Sequence, residues 1–587
     1  MILTPLDWFI IVIYFAISAG IGVWFAARGG RSVNDFFLTG RSLPWWLAGT
    51  SMVATTFAAD TPLAVAGLVA RNGIAGNWIW WSAAFGSMLT VFFFARLWRR
   101  AGIMTDVEFA ELRYTGRPAA ILRGFRALYL GLPINCVIMG WVNLAMAKIL
   151  SVTLGWDQLT AVLISLAITG LYSALAGLWG VVVTDFVQFT FAMIGSLALA
   201  WFALQLPEIG GLSGLAAQVP PGTLEFVPTF SGSVADSAAL VTLPLASFLT
   251  YVTVQWWASW YPGQEPGGGG YVAQRMMSAK DERHSLYATL WFTVAHYCLR
   301  PWPWIVVGLA SLVLYPTITD KEAGYAMVMR DHLPAGWRGL LLGAFFAAYM
   351  STISSQLNWG TSYIVNDFYR RFVTRAASER HYVWMARLTT LGLMVLSGIV
   401  TFYLESIRQA WEFVLESGAG IGLVLILRWY WWRINAWSEI AAMVGAAVGY
   451  AALKLFTDLV FPYTLLAVVA WTTVCWVVVT LLTAPEPDDH LVRFYRRTRP
   501  DGPGWTRIAA LAGEPAPGRL RGLLVDWGAG VVLVYAALFG VGNALFGSLN
   551  VTLTCLAIVA AAIGVLRLNL AGTFVPYPTT NRREERL

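Results

Sequence analysis

Ser351, Thr352, Ser354, Ser355 and Asn358 fall within eight residues, inside the otherwise apolar stretch LLLGAFFAAYMSTISSQLNWGTSYIVNDFYRR that runs from Leu340 to Arg371. Hydroxyls are hard oxygen donors without charge. Several on one helix face, with backbone carbonyls nearby, can replace the water around a small cation. At 3.6 residues per turn, Ala348, Ser351, Thr352, Ser355 and Asn358 share one broad face, with Ser354 at its edge. The plainer reading is that Ser and Thr bond this helix to its neighbours, as they do in helical bundles. Residues elsewhere in the chain bear on the choice.

Thr55, Thr56, Asp60, Thr61 and Pro62 come together in LAGTSMVATTFAADTPLAVAGLVA. Pro62 removes a backbone donor and crowds the preceding turn. Asp60 is expensive at membrane depth. Non-helical backbone persists there only where protein or a water-filled cavity covers it. The stretch predicts a broken helix near Ala54 to Thr61 with free carbonyls; a plain proline kink leaves Asp60 unexplained. Asp185 and Gln188 lie in TDFVQF, Asn135 and Asn143 in PINCVIMGWVNLAMAK, and Arg300 in HYCLRPWPW. An ionisable group in an apolar run needs a partner and is a functional candidate. For Asp185 the alternatives are a cation and a structural hydrogen bond. For Arg300 they are a solute carboxylate, held by its fork, and an internal acid, Asp60 or Glu416. Glu412 and Glu416 precede the small residues Ser417 to Gly420, which can open the backbone. Gly267 to Gly270 lack a following GKS or GKT and a preceding strand. They read as a flexible turn at a helix end.

The elements that carry these residues are membrane helices. The chain has 587 residues, 58% hydrophobic and 12% charged, with mean hydropathy +0.63, a polytopic membrane composition. Many of its 30 Trp lie near the ends of apolar runs, where indoles favour the membrane interface. Spanning a bilayer takes about 20 residues, and about fifteen runs qualify. They start near Pro5, Leu43, Gly76, Leu122, Gln158, Gly180, Ala239, Ser285, Arg338, Tyr382, Arg408, Ala436, Pro462, Val525 and Val551. Asp7 and the missing basic n-region exclude a signal peptide. Most of the 39 Lys and Arg fall in odd-to-even connections, which predicts N-out and C-in. The net charge of +7 then reports orientation, and no nucleic-acid partner is expected. Cys136, Cys298, Cys475 and Cys555 lie in apolar runs as packing residues. HExxH, GxSxG and Walker sequences are absent, so no enzyme is expected.

Three stretches together resemble the sodium:solute symporter family: FFLTGRSLPWWLAGTSMVATTFAAD, TDFVQF, and AAYMSTISSQLN with NDFY. GGYVAQRMMSAKDE resembles the family's glutamine–arginine motif. The resemblance covers roughly Asp35 to Arg433. It implies an all-α, five-plus-five inverted-repeat fold of the leucine-transporter type, which binds near the midplane at discontinuous helices. It also implies a first Na⁺ site from the carbonyls of Ala54, Phe57 and Ala348 with the hydroxyls of Ser351 and Thr352. A second Na⁺ site, present in some members, would use Asp185, Ser351, Ser354 and Ser355. The candidate solute contacts are Asp60, Thr61, Ser82, Asn143, Arg300 and Glu416. Sugar-transporting members carry a glutamate where this chain has Ile79 or Trp80, which argues against a sugar. Their helix-eight lysine corresponds to Arg300, which favours an anionic or zwitterionic solute.

The expected organisation is a leading helix and loop over 1–42, repeats over 43–207 and 239–432, an external loop over 208–238, and C-terminal helices with a basic loop over 433–587. The expected function is sodium-coupled symport of a small organic solute across an inner (plasma) membrane. A transporter-like sensor is the alternative. The expected partners are the solute and membrane lipid.

Overall fold

A computed structural model describes the chain except for residues 1–2, 30–37, 104, 174–177, 229–241, 262, 264 and 572–587. Part of the leading loop, much of the 208–238 loop and the C-terminal tail lie outside the described residues. The rest is helical, with two isolated β-bridges. α1 is Pro5–Gly29, α2 Trp45–Thr55, α3 Asp60–Asn72, α4 Ile74–Ala101, α5 Gly116–Leu154, α6 Gln158–Ser173 and α7 Leu178–Leu204. α8 covers 245–258, followed by α9 Gly270–Ser278, α10 Glu282–Leu314, α11 Trp337–Val373, α12 Glu379–Thr401, α13 Ile407–Ser417 and α14 Ile421–Tyr430. α15 Ala436–Phe456, α16 Tyr463–Leu482, α17 Leu520–Phe546 and α18 Leu549–Ala571 complete the set. The helices form a five-plus-five-like inverted-repeat core.

Among the described residues ten helices are long and apolar enough to cross a membrane, or eleven with α2 and α3 as one span. This corrects the expected fifteen. The described side chains of α1 cover Pro5–Ile17 and those of α6 Gln158–Gly170, so neither enters that count. The run near Ala239 gives only 245–258 as helix, and the run near Arg408 is divided between α13 and α14. An apolar run can continue through a break that a helix cannot cross. The N-out, C-in alternation depends on fifteen spans and falls with that count.

α2 and α3 meet at 63°. The sequence explains why. Thr55 Oγ1 donates to the Ser51 carbonyl at 2.8 Å and Thr56 Oγ1 to the Val53 carbonyl at 2.8 Å, competing with the helix for its last acceptors. Pro62 lies in the first turn of α3, where its missing N–H leaves no bond unmade.

A second break lies between α8 and α9, and a third between α13 and α14. These two breaks pair with each other. Trp260 N donates to the Gly418 carbonyl at 3.2 Å, and Gly420 N to the Ala258 carbonyl at 2.9 Å. Unwound backbone is thereby satisfied inside the protein. Gly267 to Gly270 belong to this break and are largely buried, which corrects the flexible turn. The Trp98 indole donates to the Gly267 carbonyl at 2.8 Å. A Cβ on Gly268, whose φ is +78°, would lie 2.8 Å from Met276 Cε.

Charge clusters lie at both ends of α5. Towards its start, Glu439 accepts from Tyr114 at 2.6 Å, Arg126 at 3.2 Å and Arg428 at 3.3 Å. Asp106 accepts from Tyr363 and from Gly270 N. Roughly 30 Å further along α5, Lys148 donates to Glu322 at 2.6 Å, and Glu322 caps the N-terminus of α13 through Ile407 N and Arg408 N. All three side chains in the Glu439 pairs are at most 5% exposed. Glu439→Ala is therefore expected to destabilise the protein by about 3–5 kcal/mol, because it strands the buried Arg428 and leaves Arg126 only Asp106, at 3.8 Å. A thermal melt checks this, and a wild-type melt would remove the network from the account of stability.

Candidate functional site

The cavity sits where the breaks converge. α2, α3, α4, α5, α8, α9, α10, α11 and α13 all contribute to its wall. Its solvent-accessible volume is ≈ 90 Å³, room for on the order of six waters. Trp80, Trp141, Trp411 and Tyr261 form aromatic walls. Trp141 stacks on Tyr261 at 6.2 Å between centroids, and Trp411 meets Tyr261 edge-on.

Two opposite charges line this space. Asp60 opens α3, is 4% exposed, and its Oδ1 has no hydrogen-bond partner among the described residues. Arg300 is 1% exposed. Its Nη1 donates to the Val53 carbonyl at 3.2 Å and to Thr56 Oγ1 at 2.9 Å, while its Nε has no partner among the described residues. His296, one turn before Arg300, lies 3.4 Å from Arg300 Nη2 and 3.1 Å from Thr56 Oγ1. Arg300 and His296 thus both address the end of α2. Thr61 also lines the cavity, with its hydroxyl donating to the Thr56 carbonyl at 3.2 Å.

The other candidates lie elsewhere. Ser82 is buried beside the cavity wall, where its Oγ accepts from Gln255 at 3.3 Å. Asn143 bonds Tyr349 at 2.8 Å and Thr401 at 3.2 Å. Glu416 lies 3.5 Å from Lys454. None of the three lines the cavity. Several lining residues were not singled out from sequence. His296 had a usable signal, since it stands four residues before Arg300 and therefore on the same face. The cavity tryptophans had none, because indoles were read as interface markers.

The hydroxyl face of α11 packs against α2 and α7. Thr352 Oγ1 is buried with no partner among the described residues. Ser351 Oγ donates to Asp185 Oδ1 at 2.9 Å, and Ser354 Oγ donates to the Ser351 carbonyl at 3.1 Å. Ser355 is half-buried, and Ala54, Phe57 and Ala348 are buried. Asp185 is fully buried and accepts from Ser51 at 2.8 Å through its other oxygen. Arg275 Nη2 stands 3.8 Å from that carboxylate and donates to Thr55 at 3.2 Å. The carboxylate therefore joins α2, α7, α9 and α11. A broken helix with carbonyl ends, an unpartnered hydroxyl and a buried carboxylate is a donor set for a small hard cation.

The sodium:solute symporter family profile matches residues 36–449. The chain belongs to the sodium:solute symporter family. It is a sodium-coupled symporter of a small solute, working by alternating access in a leucine-transporter-like membrane fold. That family places it among transporters rather than enzymes. The symporter is 26% identical over 547 residues to sodium/glucose cotransporter 4 of Danio rerio, covering 84% of this chain and 80% of the relative. It is 25% identical over 514 residues to the sodium/glucose cotransporter of Vibrio parahaemolyticus, covering 83% and 92%. Its fold is similar to that of a Na⁺-coupled sialic acid symporter in a substrate-bound outward-open state. The TM-score is 0.63 at 18% identity, covering 82% of this chain and 99% of that one.

Proposed function

We propose that the symporter moves two Na⁺ with each solute, and that the solute enters the Asp60–Arg300 cavity. The first Na⁺ takes the carbonyls of Ala54, Phe57 and Ala348 and the hydroxyls of Ser351 and Thr352. The observation that carries this is Thr352, whose buried hydroxyl lacks a partner at the break in α2. An unmade hydrogen bond at a buried hydroxyl costs on the order of 1–3 kcal/mol, which a coordinated cation offsets. The second Na⁺ takes Asp185 with Ser351, Ser354 and Ser355. Arg275, 3.8 Å from Asp185, supplies positive charge to that carboxylate when the ion is absent.

The solute presents an acceptor to Arg300 and a donor to Asp60, which suits a small zwitterion or carboxylate with an amino or hydroxyl group. The aromatic walls cover its apolar side. Ile79 and Trp80 line the cavity where sugar-transporting members carry a glutamate, which argues against a neutral sugar. Na⁺ and solute meet at the end of α2, so each raises the other's affinity by the same factor. The working membrane is the inner (plasma) membrane.

Uptake into proteoliposomes under an inward Na⁺ gradient tests this, with a panel of zwitterions, carboxylates and neutral sugars. Saturable, Na⁺-dependent uptake of a charged class is expected. Uptake of neutral sugars alone overturns the solute class. Asp185→Asn is expected to lower the charge moved per solute and the steepness of Na⁺ activation. A one-to-one flux ratio that Asp185→Asn leaves unchanged removes the second Na⁺ and makes Asp185 structural.

A further inference from the structure

A second, smaller cavity lies at the arginine-rich end of the bundle, far along the chain from the transport site. It stands between the end of α4 and the start of α17. Arg96, Arg100, Arg499 and Arg519 line it, together with Tyr430 and Asp501. Three of the four arginines are engaged. Arg100 makes two bonds of 2.8 Å to Glu282. Arg499 pairs with Glu514. Arg519 donates its backbone N–H to Asp501 at 3.1 Å. Arg96 is different. It is 7% exposed, yet it has neither a hydrogen bond nor an ion pair among the described residues. A guanidinium carries five donors and stays charged in proteins. Burying one without acceptors is among the more costly arrangements a fold can hold.

The surrounding carboxylates leave those donors unbonded. Asp501, Glu282, Glu514 and the nearby Asp526 match the four guanidinium groups in number, yet none of them bonds Arg96. The solvent-accessible volume is ≈ 20 Å³, room for about one or two waters. Such a space admits the oxygens at the tip of an anion and excludes a bulky organic acid. Its position narrows the choice. α4 ends at Ala101 and α17 begins at Leu520, so the cavity lies level with two span ends. Leu524 and Val525, one turn into α17, are 49% and 50% exposed, an apolar surface beside the cavity mouth. Basic pockets between helix ends at the headgroup level are where acidic lipids bind.

We infer that this cavity binds a phosphate monoanion, with Arg96 as its principal donor. The phosphodiester of an anionic phospholipid fits the position, with its acyl chains along α17. Free phosphate shares the chemistry. The bound anion ties α4 to α17, and α4 reaches the transport cavity at Ile79 and Trp80. The site therefore stabilises a helix that the solute also touches.

The test is a thermal melt of the full chain in nanodiscs of phosphatidylcholine, with and without phosphatidylglycerol. A third arm adds millimolar inorganic phosphate to the phosphatidylcholine discs, against chloride at equal ionic strength. Phosphatidylglycerol is expected to raise the melting temperature, and Arg96→Gln to abolish that rise. In pure phosphatidylcholine Arg96→Gln is expected to melt near the wild-type temperature, because Arg96 makes no hydrogen bond or close ion pair among the described residues. That result also shows that the variant folds. Arg493→Gln, at an exposed arginine in the adjoining segment, should keep the full response. A rise with inorganic phosphate alone assigns the site to the free ion. No rise in either arm, or an equal rise in Arg96→Gln, overturns the site. If Arg96→Gln does not fold, Arg96→Lys replaces it; an undiminished rise there overturns the role of the Arg96 fork.

Discussion

Thr352→Ala is expected to raise the Na⁺ concentration needed for half-maximal uptake by at least about tenfold, without changing the melt in Na⁺-free buffer. The second half of that expectation follows from geometry. Thr352 Oγ1 makes no hydrogen bond among the described residues, so deleting it removes nothing that holds the fold. Its only loss is a ligand to the proposed cation. A bond between a charged group and a neutral partner contributes about 1.5–3 kcal/mol, and 1.4 kcal/mol is a factor of ten. Ser351→Ala behaves differently, because Ser351 also donates to Asp185. That variant should lose Na⁺ affinity and some stability together. The double variant, Ser351→Ala with Thr352→Ala, is expected to lose Na⁺-stimulated uptake altogether while remaining folded. Uptake against Na⁺ concentration, paired with melts with and without Na⁺, reads both quantities. Normal Na⁺ stimulation in the double variant would remove the first cation site from α11.

Local chemistry made part of this site legible in sequence. Pro62 and the two threonines announced the break between α2 and α3, because proline and short hydroxyl side chains act on the backbone beside them. The face shared by Ser351, Thr352 and Ser355 followed from helical period. What stayed hidden depends on contacts between distant segments. Arg275 stands ninety residues after Asp185, and no spacing rule joins them. Gly267 to Gly270 look like a surface turn until Trp98 and Met276 are seen packed over them. The fifteen apolar runs overcounted the spans, since hydropathy passes smoothly through Ser417 to Gly420 while the helix does not. The cavity tryptophans were misplaced for a related reason. Indole suits the membrane interface and an aromatic pocket equally, and composition cannot separate the two.

Arg300 tests the solute reading most severely. Sequence left it two internal acids, and the structure narrows them. Glu416 stands beside Lys454. Asp60 lines the same cavity as Arg300, with no hydrogen bond between them. Arg300 instead holds the end of α2 through Val53 and Thr56. Arg300→Lys keeps the charge but loses the fork, so one ammonium must replace both the bonds to α2 and the face shown to solute. Apparent solute affinity is expected to fall at least about tenfold, with Na⁺ binding in the absence of solute retained. Asp60→Asn is expected to abolish uptake of a zwitterion while leaving the melt nearly unchanged, because asparagine keeps the size and an acceptor oxygen of the side chain. The double-mutant cycle decides between the roles. Without solute, Arg300→Ala and Asp60→Asn should couple in the melt by no more than about 1 kcal/mol, through charge alone and without a bond between them. With solute, each should remove most of the stabilisation it confers, and the pair no more than either alone. A coupling of several kcal/mol in the solute-free melt would mean that the two charges exist for each other. The solute would then be neither anionic nor zwitterionic, and the cavity would belong to a neutral one.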